Sequence, residues 1–209
     1  ENHDEKIANS WKDKVNSDDL VVLAGDFSWA TYLEETYKDF EYLSNLPGKK
    51  ILLKGNHDYW WTTITNMNKF IKENNFQNIM FLHNNSYLIE NKIIVGTRGW
   101  INTSPITNEN RKILKRERDR LELSIKDGIQ KFGDDKEIIV FLHYPPFYKE
   151  SNISEEINFI SLMNKYNIKK CYYGHLHADS HKEAIEGIVN NIEFKLVSSD
   201  YLNFDLIKI

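Results

Sequence analysis

A chain of 209 residues, 41% hydrophobic and 28% charged, is long enough to bury a substantial core and too evenly mixed to be a disordered tract. Its net charge of −4 argues against nonspecific binding to nucleic acid, and no apolar run reaches the roughly 18 residues that a membrane helix needs. The single cysteine, Cys171, excludes an intrachain disulfide and fits a reducing, cytoplasmic setting; within the strand-like run KKCYYG it reads as an inert buried thiol.

From the N-terminus, Ile7, Trp11 and Val15 recur at four-residue intervals and predict a helix over IANSWKDKV. LVVLAGD reads as a buried strand ending in Asp26. A helix is expected from about Tyr32, with Leu33, Tyr37, Phe40 and Leu43 on its inner face, until Pro47-Gly48 stops it. KILLKGNHD is the next strand, and Ile64, Met67, Phe70 and Ile71 mark a helix that Asn74-Asn75 ends. IMFLHNN, SYLIENK and KIIVGTRGWI predict successive strands, the last two joined as a hairpin through Glu90-Asn91-Lys92. A long charged helix follows, its inner stripe predicted at Ile113, Leu114, Leu121, Ile125 and Ile129. EIIVFLHYPP returns to strand. Ser154, followed by Glu155 and Glu156, is expected to open a helix through Ile157, Ile160 and Met163, since acidic residues suit a first turn. KKCYYGHLH is a further strand, and IEFKLVSSDYLNFDLIKI is expected to supply the closing strands. Short apolar runs alternating with helical periods define an α/β chain. With no repeat and no linker, residues 1–209 read as one domain.

Several of these strands end in residues of related chemistry: Asp26, then Asn56 and His57, then His143, then His175 and His177. In open α/β sheets, ligands collect outside the carboxyl ends of strands, so these residues are expected to converge. A carboxylate, an amide oxygen and imidazoles, without thiolate, suit divalent manganese, iron, cobalt, nickel or zinc better than a calcium cage. Gly25, Gly55 and Gly174 precede the polar residues and permit close backbone approach. His175 and His177, two apart, share one face if the segment is extended.

GD at Gly25-Asp26, GNHD at Gly55–Asp58, His143, and GHLH at Gly174–His177 together resemble the motifs of the calcineurin-like metallophosphoesterases. LLKGNHDYWW, GTRGW and YGHLH are similar to a bacterial branch of that family. The resemblance implies a sandwich of two mixed β-sheets flanked by helices, and metal-dependent hydrolysis of a phosphomonoester or phosphodiester by a metal-activated hydroxide. It implies that Asp26 bridges two divalent metals (Mn, Fe, Zn, Co or Ni), and that Asn56, His143 and His175 complete the shell of one. His177 would bind the other, and His57 would be the catalytic histidine facing the substrate. No Ser or Cys nucleophile is then required.

Two departures shape what is expected. The family's first motif, D-x-H, is absent: ENHDEK has His3 and Asp4 in the wrong order, with no apolar strand in front. The N-terminus is therefore read as truncated relative to the family, with one metal held well and the second poorly. After GD, the run GDFSWATYLEE also lacks the Asp-Arg pair of protein serine/threonine phosphatases, which leaves a small phosphoester or nucleotide as the implied substrate.

Arg98, with Gly96 and Gly99 close by, is a candidate phosphate contact, a structural ion pair being the competing reading. Asp58 either supports a ligand or caps the following turn. Tyr59, Trp60 and Trp61 either rim the site or pack in the core. His83 and His181 read as surface or supporting residues, and Lys112 to Arg120, broken by Glu117 and Asp119, as a solvated helix face. HLHADSH is similar to the H-x-H-x-D-H of metallo-β-lactamases, but Ser180 interrupts it and GNHD stays unexplained. The rival to an enzyme is a noncatalytic phosphoesterase-fold scaffold that binds a protein partner. Oligomeric state is not legible.

Overall fold

The computed structural model describes residues 3–101, 105–148 and 157–209. Helix α1 (His3–Lys14) carries Asp4 and Glu5 in its first turn and Lys12 and Lys14 in its last, charges that complement the helix dipole. It turns Ala8 and Trp11 inward. Strand β1 (Leu20–Leu23), helix α2 (Tyr37–Asn45), strand β2 (Lys49–Leu53), helix α3 (Ile64–Glu73) and strand β3 (Ile79–Leu82) follow. The three strands form one parallel sheet in the order β1-β2-β3.

The second half builds a larger sheet from β4 (Tyr87–Ile89), β5 (Lys92–Thr97), β6 (Glu137–Leu142), β7 (Lys170–Tyr173), β8 (Gly187–Val189) and β9 (Ile192–Leu196). Helix α4 (Asn108–Phe132) links β5 to β6, and α5 (Phe159–Lys165) precedes β7. Strand order is β4-β5-β6-β7-β9-β8, with β5-β6-β7-β9 parallel and an antiparallel hairpin at each edge. Two sheets flanked by helices are thus the observed α/β architecture; the mixed character lies in the larger sheet, and the described strands of the smaller one are all parallel.

Alternation along each strand decides which layer its residues fill. Ile51 and Leu53 of β2 meet Leu82, Ile94, Ile139, Phe141 and Tyr172 between the sheets. Leu52, one residue out of phase, packs with Trp11, Phe40, Met67 and Phe81 under α1 to α3. On the far side, Leu114, Leu121 and Ile125 of α4 pack over Val95, Val140 and Phe194. Covered on both faces, β2 and β6 read as unbroken apolar runs rather than alternating ones. Among the described residues, no helix is long and apolar enough to cross a membrane.

Three local expectations need correction, and one strand goes unpredicted. Residues Leu33–Thr36 form a 3₁₀ turn, closed by the Thr36 hydroxyl on the Leu33 carbonyl at 2.6 Å, so α2 proper begins at Tyr37. Helix α5 is capped by Asn158, whose side chain accepts from the Ile160 and Ser161 amides; Ser154, Glu155 and Glu156 lie outside the described residues. Of the closing stretch only β9 is strand, because residues beyond Ser198 turn repeatedly, with Asn203 and Phe204 at positive φ. Its hairpin partner β8, Gly-Ile-Val, is only three residues long and goes unpredicted because so short a run shows no period.

Lys50 is the one buried position of β2 that carries a charge. Its side chain is buried and its ammonium donates to the Leu46 carbonyl. Burial pulls its pKa down from 10.5 to about 8. Between those values the unfolded chain binds the extra proton, so stability is expected to rise with pH across about 8 to 10.5. Urea unfolding of the wild type against Lys50→Met checks this: the rise should vanish in the variant, which lacks the titrating group.

Candidate metal centre

The site begins with strained backbone just past β1. Asp26 has φ of 56°, a left-handed conformation that costs a non-glycine residue about 1–2 kcal/mol. Asp58 supplies the compensation. Only 1% exposed, it accepts from the amides of Gly55 at 2.7 Å and Asp26 at 2.9 Å on one oxygen. The other oxygen takes the Phe27 amide at 2.9 Å, the Ser28 amide at 3.2 Å and the Trp60 indole at 3.1 Å. Burial raises the Asp58 pKa, and the Gly55, Ser28 and Asp26 amides oppose that rise. Asp58 thus clamps the GD turn against the GNHD turn, a contact that neither a ligand support nor a cap of the following turn describes fully.

The glycines permit the approach. A Cβ on Gly55 would stand 2.0 Å from an Asp26 carboxylate oxygen, and one on Gly25, itself at φ of 96°, 2.6 Å from His143 Nδ1. Both contacts are far inside van der Waals distance, which is why each polar turn opens with glycine.

Three other strand ends deliver their side chains to the same place. His143, at the end of β6, is buried and bonds the Ala24 carbonyl through Nδ1 at 2.9 Å. A carbonyl only accepts, so that nitrogen carries the proton and Nε2 presents a lone pair. Nε2 lies 2.7 Å from Asn56 Oδ1, 3.2 Å from His175 Nδ1 and 3.5 Å from an Asp26 carboxylate oxygen. His175 Nδ1 is 2.9 Å from the same Asn56 oxygen. Burial lowers the His143 pKa to about 4 against the pull of Asp26, and burial also lowers that of His175. Both rings are therefore neutral near pH 7. Asp26, His143 and His175 each offer an atom within 4.8 Å of the others.

This donor set fits a divalent cation. An amide oxygen, an imidazole lone pair and a carboxylate converge, and a single proton on His175 Nδ1 cannot satisfy them all. A transition-metal ion accepts from each, and the ligand types suit manganese, iron or zinc.

The remaining predicted residues stand around that cluster. His57 donates its amide to Asp26 Oδ1 at 2.8 Å, and its ring stacks against Trp29. His177 is exposed and lies outside the tight group; its Nδ1 is 2.7 Å from Asp200, which leaves Nε2 as the free nitrogen. Burial alone would raise the Asp200 pKa, but the Ala178 amide, the His177 bond and the charges of His177 and His181 bring it down to about 2. His181 lies 3.2 Å from that carboxylate. Asp200 escapes a reading of the sequence because SSDYLN carries no pattern that separates a buttress from a turn.

Arg98 sits at the end of β5, where its carbonyl accepts the His143 and Tyr144 amides. Its guanidinium lies 3.6 Å from Glu117 and over the Trp100 ring at 4.6 Å, while its buried Nε has no hydrogen-bond partner among the described residues. Glu117, fully buried on α4, also takes the Thr97 hydroxyl at 2.7 Å and Arg120 at 2.8 Å. A buried carboxylate among basic residues is thus the inner face of what reads in sequence as a solvated charge run. Trp60 and Trp61 are core, whereas Tyr59 is exposed.

Along β1, an edge strand among the described residues, runs a cavity of about 1340 Å³, lined by Leu20, Val22, Ile94, Phe141 and Tyr172 and reaching Asp26, His175 and His177. The site therefore opens onto a groove between the sheets.

No curated protein matches this chain. One solved structure superimposes with a TM-score of 0.57 at 14% identity, over 91% of this chain and 82% of its own. The protein TT1561 of Thermus thermophilus gives a TM-score of 0.57 at 17% identity, over 84% of this chain and 76% of its own. Such similarity establishes the fold. The sequence pattern of the calcineurin-like phosphoesterases matches residues 3–179, most of the chain and all of the clustered side chains. The chain belongs to the calcineurin-like phosphoesterase family.

Proposed function

We propose that the protein hydrolyses a small phosphoester or nucleotide, as a monoesterase or diesterase, with residues 1–209 acting as one domain. The observation that carries this reading is the convergence of Asp26, Asn56, His143 and His175 at the carboxyl edge, with His57 held beside them but outside the cluster. Asp26, Asn56, His143 and His175 would hold one divalent cation, and Asp26 with His177 would hold a second more weakly. When bound, the cation supplies Lewis-acid polarisation of the phosphoryl group and acidifies a water.

The chain's own residues do the rest. The His57 amide, anchored on Asp26, places the imidazole to hydrogen-bond a phosphoryl oxygen or protonate the departing alkoxide. Asp58 keeps the GD and GNHD turns in register, and His143, locked by Ala24, keeps its lone pair aimed at the cluster. Arg98, whose charge acts on both His143 and Tyr144, contributes positive potential beside the cluster while its guanidinium faces the buried Glu117. The buried, unpaired Cys171 thiol suits a cytoplasmic enzyme.

Calorimetry with manganese, followed by assays on p-nitrophenyl phosphate and its bis ester, tests the reading. One tight equivalent is expected, lost in His143→Ala, with hydrolysis that depends on added manganese. Two sites of equal affinity would contradict the ligand count, and a protein that neither binds manganese nor hydrolyses either ester would be a scaffold.

A further inference from the structure

Two aromatic rings touch His57, and both stand in solvent. The Trp29 ring lies parallel to the imidazole, 4.2 Å between centroids and 5° between planes. Tyr59 meets the same imidazole edge-on at 6.1 Å and 89°. Trp29 is 72% exposed and Tyr59 62%, although their close neighbours Phe27 and Trp60 pack on Phe40 in the core. With one face on His57, a side chain so exposed keeps its other face open.

The mounting is rigid. Ser28, immediately before Trp29, gives its amide to Asp58 and its hydroxyl to Asp39. Tyr59 follows Asp58 directly. Both rings thus project from the same clamp that sets the candidate metal ligands. Exposed aromatic surface held rigidly beside a polar site suits stacking on a planar ligand, because every aromatic ring offers a compatible face.

We propose that Trp29 and Tyr59 form a stacking subsite for a planar aromatic ring carried by the ester, so that the substrates are aromatic phosphoesters, nucleotides or aryl phosphates, rather than sugar or alkyl phosphates. The inference rests on the reading of His57 as the substrate-facing residue. A group that His57 protonates as it leaves is the group whose ring reaches Trp29.

Titration with adenosine 5′-monophosphate, phenyl phosphate and ribose 5-phosphate, in manganese and again in chelator, tests it. The aromatic esters are expected to bind about ten-fold more tightly than ribose 5-phosphate, a difference of about 1.4 kcal/mol. Trp29→Ala should erase that ratio, and Trp29→Phe, which keeps a ring, should preserve most of it. A tighter adenosine ester identifies nucleotides as the source of the ring; a tighter phenyl ester identifies aryl phosphates. Equal binding of all three ligands would overturn the subsite, as would a Trp29→Ala variant weakened equally toward each, since Trp29 would then only support His57. Aromatic preference without hydrolysis of any ester would leave the subsite standing and remove the hydrolase reading. Hydrolysis without aromatic preference would do the reverse.

Discussion

Asp58→Asn is expected to cost the fold about 4 kcal/mol, a large share of the roughly 5–15 kcal/mol that a domain of this kind holds. Both carboxylate oxygens are acceptors in use. Whichever way the new amide turns, its NH₂ faces either the Gly55 and Asp26 amides or the Phe27, Ser28 and Trp60 donors. Each donor left buried without a partner costs about 1–3 kcal/mol. The left-handed turn at Asp26 loses its restraint at the same time, so manganese affinity should fall by about 10–100-fold, the usual penalty for removing a residue that orients a ligand. Urea unfolding and manganese titration read the two effects separately. A variant that unfolds at the wild-type midpoint would show that Asp58 is not the clamp.

His57→Ala is expected to act in the opposite way. The ring's contacts are with two exposed aromatics, Trp29 and Tyr59, and the bond to Asp26 comes from the backbone amide, which alanine retains. Stability and manganese binding should therefore change little. The rate of ester hydrolysis should fall by about 10²–10⁴-fold, the range for losing a positioned acid–base group. A variant that hydrolyses its ester at the wild-type rate would remove His57 from the mechanism while leaving the candidate metal site untouched.

These two neighbours in GNHD show how far a local motif reaches. The apolar run, the glycine and the polar residues after it are all visible along the chain. Nothing local separates an imidazole that stays at the mouth from a carboxylate that takes donors thirty residues away. Glu117 makes the same point on α4. Its spacing from Leu114 and Leu121 would place it on the buried stripe, yet charge composition assigns it to solvent; the Thr97 and Arg120 bonds that permit its burial are tertiary. The opening of α5 is not legible for a related reason, since only the folded backbone sets the Asn158 side chain against the Ile160 and Ser161 amides.

Determined by the sequence alone were the alternation of strands and helices, the polar residues that end β1, β2, β6 and β7, and the family to which those motifs belong. These are short-range features, written in apolar periodicity and in glycine placed before a side chain. The tertiary structure alone decided which of those residues share donors within 4.8 Å, that His177 leans on Asp200 instead of joining them, and that Trp29 covers His57. Sheet order and backbone chirality at Asp26 and His175 set those relations. Both depend on contacts between distant segments, because a lone pair is aimed by whatever holds its neighbours.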